Sequence, residues 1–271
     1  MEIPSEEIDE LAERIISKYS TQYPIDPYEI AEKLGIEVIE GKFGKYFRGL
    51  IKYLNCRFYI LLNFDLLKKA HYALARYTCS HELGHFFLKK HRNRLKLGQS
   101  IAFSGSSLKS FEKKILESEA QQFAASLLMP KNHFKTSYIE FGKQGFEAIF
   151  ALKSYYNVSV TTALIRFVRL DLEPTVSITW TEQGILNKGV SNSFASIIGN
   201  NGLSIKLNLQ RPLLEEKIKV DKLTKIEYHQ SITPLSSWSY NLPKEFANEF
   251  FVIEETMYTK YYNITLLRII T

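Results

Sequence analysis

Apolar positions recur with helical spacing over residues 5–20, where Ile8, Leu11, Ile15 and Ile16 fall on one face. The stretch IDPYEIAEKLGIEV then reads as a compact helix with its own punctuation. Asp26 is the N-cap, Pro27 takes the first turn, Glu29 completes a capping-box pattern and Gly35 stops the helix. Three short apolar runs follow, IEVI, GLIKYL and RFYILLN. They predict strands, the last two forming a hairpin around Asn55-Cys56. A long helical pattern extends from about Asp65 to Lys90, and another from about Ser110 to Met129, where Pro130 halts it. Two further helices are predicted over about 144–155 and 160–171. After DLEPTV the texture changes to strand-like segments, TVSITW, ILNKGV, LSIKLNL, KIEYH, FFVIEETM and ITLLRII. Turn signals such as Glu182-Gln183-Gly184 and Asn200-Asn201-Gly202 separate them.

These patterns predict an α+β chain with a boundary near Pro174. Residues 1–173 would form a mainly helical domain with a small three-stranded sheet and a paired-helix segment over 144–172. Residues 174–271 would form a smaller, β-rich α/β domain.

Composition narrows the class. The chain is 45% hydrophobic and 24% charged over 271 residues, enough apolar material for real cores. Its two cysteines, Cys56 and Cys79, exclude a disulfide framework and a CxxC zinc module, and fit a reducing compartment. The start, MEIPSEEIDELAERI, is acidic and amphipathic, unlike a signal peptide, and no apolar run approaches the roughly 18 residues of a membrane span. A cytoplasmic protein is expected. Part of the net charge of +6 sits in KKHRNRLK, Lys89 to Lys96, read as a solvated loop leaving the preceding helix rather than a binding patch. The segment LKSYYNVSVTTALIRFV could be a helix-turn-helix capped by Ser159. Its second helix is mostly apolar, with few side chains to read bases, so direct nucleic-acid binding is not expected.

The chemistry concentrates in TCSHELGHFFLKKH. His81 and His85 lie four residues apart, only about 40° around a helix axis, so both imidazoles can reach one ion. Cys79, Leu83, Phe86 and Phe87 point the other way, an apolar side suited to a buried helix; Cys79 is read as core rather than ligand. Gly84 suggests close approach of another backbone. A catalytic zinc takes three protein ligands and leaves a fourth position open. The helix LESEAQQFAASLLMP offers two carboxylates for the third. Glu119 groups with Gln122 and Ser126, read as a solvent face, whereas Glu117 groups with Ala120, Ala124 and Leu128 on a close-packing face. A carboxylate there needs a partner, which a zinc ion or a salt bridge to Arg76 would supply. Zinc is the more economical, and Glu117 is assigned as third ligand.

The collinear segments PIDPYEIAEKLGIEV, ARYTCSHELGH, LESEAQQFAASLLMP and LKSYYNVSVTTALIRFVRL resemble the ImmA/IrrE family of zinc metallo-endopeptidases over roughly residues 5–172. The resemblance implies a zincin-like domain, zinc on His81, His85 and Glu117, and Glu82 as general base. Where many members carry a histidine four residues after the second ligand, this chain has Lys89, a position outside the ligand pattern. The oxyanion donor is left open among His71, Tyr72, Arg76 and His133. The family further implies a protein substrate, a DNA-binding helix-turn-helix repressor, and a C-terminal extension that senses a small-molecule or protein signal. Two other readings stay open: the proteolytic half of a toxin–antitoxin or phage-defence module, and a non-catalytic zinc protein that sequesters its partner. An intact Glu82 argues against the last.

Overall fold

The computed structural model describes residues 2–20, 22–67, 72–99, 110–181, 183–198, 228–238, 250–259 and 262–270. Among these the chain is α+β and divides into two compact units. One comprises Met1–Thr136 with Leu152–Thr162, the other Ser137–Ala151 with Ala163–Thr271. No helix among the described residues is long and apolar enough to cross a membrane.

The first unit begins with α1 (Ser5–Tyr19), whose Ile8, Ala12, Ile15 and Ile16 are buried as the spacing predicts. In α2 (Pro27–Lys33), Asp26 accepts a hydrogen bond from Tyr28 N at 3.0 Å. Glu29 does not close a capping box, because its carboxylate is taken by Lys33 one turn on. The helix ends at Gly35 with paired bonds, Ile36 N to Ala31 O and Gly35 N to Glu32 O, both 2.9 Å. Next come β1 (Glu37–Gly41), β2 (Gly49–Leu54) and β3 (Arg57–Asn63), in spatial order β1-β3-β2, with β1 parallel and β2 antiparallel to β3. The β2–β3 turn is Asn55-Cys56, both at positive φ (49° and 62°), as a two-residue hairpin of this hand requires.

The predicted long helix is several elements: α3 (Phe64–Leu67), α4 (Tyr72–Phe87) and α5 (Lys89–Lys96). Leu88, in extended conformation, separates α4 from α5. KKHRNRLK is therefore a helix, not a loop; Leu95 and His91 are buried on its inner side. The helix α6 (Ser110–Leu128) ends before Pro130, and the chain at once starts α7 (Lys131–Phe141), which was not foreseen. The core of this unit joins α1, α2, the inner face of the sheet, α4 and α6.

The second unit is built on a five-stranded antiparallel sheet of order β5-β4-β8-β7-β6, from β4 (Thr175–Thr181), β5 (Gly184–Val190), β6 (Tyr228–Pro234), β7 (Phe251–Tyr258) and β8 (Asn263–Ile269). Val176, Ile178, Trp180, Val252, Leu267 and Ile269 fill one core with Phe194 and Ile198 of the α10 segment (helix Asn192–Ile197, capped by Ser191). Elsewhere on the sheet Arg268 binds Glu255 at 3.0 Å and Glu173 at 3.4 Å. These acids also accept backbone N–H groups at the start of α8 (Gly145–Tyr156). That network explains why the division drawn at Pro174 is not the one the contacts make. Glu173, the end of α7 and the first half of α8 belong with the sheet. In α9 (Val160–Arg169), Ser159 accepts from Thr162 N at 3.1 Å as a cap, and Ala163, Leu164, Phe167 and Val168 are buried. The strand expected over LSIKLNL and most of KIEYH lie outside the described residues, as do Asn200, Asn201, Gly202 and Glu182.

Candidate metal centre

Two close contacts assemble the site. A Cβ on Gly84 would stand 3.2 Å from Ala120 Cα and carbonyl, so the glycine lets α4 and α6 approach backbone to backbone. A Cβ on Gly49 would stand 2.4 Å from Thr78 Cγ2 and 2.7 Å from Glu82 Oε1, so this glycine lets β2 press on α4. Between these contacts lie the residues of the motif.

His81 and His85 turn their Nε2 atoms toward each other, 3.2 Å apart, with rings nearly perpendicular at 84°. From α6, Glu117 places Oε2 3.2 Å from His81 Nε2 and Oε1 3.9 Å from His85 Nε2. One ligand atom from each of the three lies within 4.8 Å of the others. With metal–nitrogen bonds of about 2.0–2.1 Å, a tetrahedral edge is about 3.3 Å, close to the nitrogen separation here. Burial, then the charges of His81 and His91, hold His85 well below its ordinary pKa, in the neutral form that a ligand needs. For His81 burial works downward, but its hydrogen bond to the Glu117 carboxylate and the nearby Glu82 and Glu117 charges outweigh it and raise the imidazole. Burial pushes the Cys79 thiol up, and its side chain lies in the core, away from thiolate chemistry.

Glu82 lines the same cleft, only 4% exposed, and Ile51 N–H donates to its Oε2 at 2.8 Å. Burial raises its carboxyl to about 7, with the Glu117 charge adding to the effect and His81 and the Ile51 amide opposing it. That range suits a group that must take up and release a proton near neutral pH. A cleft of about 440 Å³ opens over these residues, walled also by Arg48, Gly49, Tyr77 and Gln121. Its floor includes β2, an edge strand of the small sheet.

Other expected participants are elsewhere. Arg76 is 2% exposed, and its guanidinium donates to the carbonyls of Tyr156, Asn157 and Ile25, so it neither pairs with Glu117 nor faces the cleft. His133 bonds the Tyr156 hydroxyl and stacks on Tyr23 at 3.5 Å, beside a separate pocket. Tyr72 is exposed and does not line the cleft, and His71 lies outside the described residues. The donors on the cleft wall, Arg48 and Tyr77, carry no sequence signal.

Glu119 corrects the helical-wheel reading. It is 1% exposed, and its neighbours on that face, Gln122 and Ser126, are buried too. The supposed solvent side of α6 is covered by α1, where Ser126 donates to Asp9 and Gln122 to Ser5. Glu119 itself accepts from His91 Nε2 at 2.7 Å and from Ile3 N at 2.8 Å. His91 was missed, for reasons of geometry given below.

Two helix histidines and a carboxylate from a neighbouring helix, with a buried glutamate beside them, form a cluster that could hold a metal ion. The family comparison agrees: the IrrE N-terminal-like domain model (Peptidase M78) matches residues 31–168, just over half of the chain, and the chain belongs to that family. It is 33% identical over 118 residues to "Uncharacterized immunity region protein 2" of Bacillus phage phi105; the match spans 44% of this chain and 65% of that one. In structure it resembles a Mycobacterium tuberculosis transcriptional regulator with a TM-score of 0.61, over 97% of this chain and 88% of that one. At 13% identity that likeness is one of fold.

Proposed function

We propose that this chain is a zinc-dependent endopeptidase that cleaves a regulatory protein, with a helix-turn-helix repressor as the substrate class. The observation that carries this reading is the convergence of His81, His85 and Glu117 in one cleft that Glu82 also lines. Two imidazoles and a carboxylate form the donor set of one class of catalytic zinc sites with an open position. A zinc ion held there would polarise the scissile carbonyl and acidify a water molecule.

The chain's own groups supply the rest. Glu82 accepts the proton of the attacking water as its oxygen bonds to the carbonyl carbon. It then delivers that proton to the departing amine as the C–N bond breaks. On the cleft wall, Arg48 is assigned to the developing oxyanion, with Tyr77 as a second donor once its hydroxyl leaves the Gln121 carbonyl, to which it donates at 3.3 Å. The immunity-region name of the phage relative supports a regulatory substrate. Regulation by a small-molecule or protein signal is assigned to the second unit, which contributes none of these residues.

Glu82→Gln tests the assignment. The amide oxygen can still accept from Ile51, so zinc content and melting temperature should match wild type. Losing the proton acceptor should lower cleavage by roughly 10²–10⁴-fold. The variant should therefore trap an intact partner from the host extract that wild type cuts. Equal relief of repression by both proteins, with no cleavage by either, would replace the protease reading with sequestration.

A further inference from the structure

His85 has two ring nitrogens, and only one faces the ligand cluster. Its Nδ1 turns away, 2.9 Å from Nδ1 of His91, whose Nε2 lies 2.7 Å from Glu119 Oε2. The other oxygen of Glu119 accepts from Ile3 N at 2.8 Å. His91 is 0% and Glu119 1% exposed, so the row of groups is sealed from solvent. Its members come from four segments: α4, α5 beyond the break at Leu88, α6, and the residues before α1.

Such a row can be satisfied in one direction. Glu119 as a carboxylate can only accept, so His91 carries a proton on Nε2 and, as a neutral imidazole, offers a lone pair at Nδ1. His85 must then carry its own proton on Nδ1, which leaves the Nε2 lone pair directed at Glu117 and His81. The reverse order would need a protonated Glu119 and would put the His85 proton on Nε2, where it blocks ligation. A buried histidine–glutamate pair is costly to desolvate unless both groups are bonded, and here each bond ends on the next group toward the site.

We propose that His91 and Glu119 are positioning residues that fix the tautomer and ring orientation of His85 for metal binding, through an interposed imidazole rather than a direct carboxylate contact. A ligand histidine whose second nitrogen is anchored is both more basic and held in place, and loss of such anchors typically weakens metal affinity 10–100-fold. The proposal rests on the reading of His81, His85 and Glu117 as metal ligands. It also replaces the reading of Glu119 as a solvent-facing residue: that carboxylate is no ligand, yet it acts on one.

The test uses the full chain and measures metal binding rather than turnover. Zinc affinity is read by chelator competition and site geometry by the visible absorption of the Co²⁺-loaded protein, for wild type, His91→Leu, His91→Gln and Glu119→Gln. His91→Leu fills the space without polar atoms and should bind zinc 10–100-fold more weakly with an altered Co²⁺ spectrum. His91→Gln can accept from His85 through its amide oxygen and donate to Glu119 through its NH₂, and should recover most of the affinity. Wild-type affinity and spectrum in folded His91→Leu would overturn the proposal. Should that variant fail to fold, Glu119→Gln and the histidine tautomers of the unaltered protein by ¹⁵N NMR decide. A proton on Nδ1 of His85 and Nε2 of His91 supports it, and the opposite pair of tautomers overturns it. Failure of wild type to take up any metal would instead defeat the ligand reading on which the proposal stands.

Discussion

Gly49→Ala adds one methyl group where β2 crosses α4. The new Cβ would lie 2.4 Å from Thr78 Cγ2 and 2.7 Å from Glu82 Oε1. Ordinary carbon contacts sit at about 3.5–4.0 Å, so strand and helix must separate by about 1 Å. Overpacking of this kind costs about 1–3 kcal/mol, of which about 0.4–1 kcal/mol is offset by the reduced freedom of the unfolded chain. For a chain of this size each kcal/mol lowers the melting temperature by about 2–4 °C, so the net cost of about 0.6–2 kcal/mol corresponds to a fall of roughly 1–8 °C. Because the Ile51–Glu82 hydrogen bond is 2.8 Å long, the same movement breaks it and releases the carboxylate. A displacement of that size can cost about 10²-fold in rate. Zinc content should hold, because His81, His85 and Glu117 sit on α4 and α6 rather than on β2. Thermal melts, metal analysis and peptide cleavage measure the three effects separately. Adding Thr78→Ser removes the nearer clashing atom and should restore part of the melting temperature. Wild-type stability and activity in Gly49→Ala, or no rescue by the second change, would refute the close-packing argument.

Three further outcomes are expected. Glu117→Ala should abolish stoichiometric zinc binding, as elemental analysis of the purified protein would reveal; retention of one zinc per chain would remove it from the ligand set. Arg268→Met leaves Glu173 and Glu255 buried without their cation, a change of about 3–5 kcal/mol that denaturant unfolding would register; an unchanged midpoint would refute the buried-network argument. A chain ending at Leu172 should aggregate, since it keeps Ser137–Ala151 and loses the sheet of the same compact unit; a soluble product with a cooperative melt would return the boundary to Pro174.

Local patterns were legible where the cause is local. Asp26, Pro27 and Gly35 delimit α2 because capping involves only neighbouring backbone groups. The Asn55-Cys56 hairpin follows from two strand-like runs and a two-residue gap. The spacing of His81 and His85 follows from helix pitch, and Glu117 fell on the close-packing face of its own helix. Tertiary structure decided everything that depends on a partner. Glu119 looked solvent-facing because nothing in α6 reveals that α1 covers that side. His91 lies six residues beyond His85, a spacing that an unbroken helix would turn far from it. Only the extended Leu88 and the restart in α5 bring the two imidazoles to 2.9 Å. The contacts divide the chain elsewhere than at Pro174 for the same reason: Glu173, Glu255 and Arg268 are far apart in sequence, and a buried charge network has no periodicity to announce it. A chain written in one dimension encodes the turn of each element, whereas desolvation and pairing are set by what the fold lays against it.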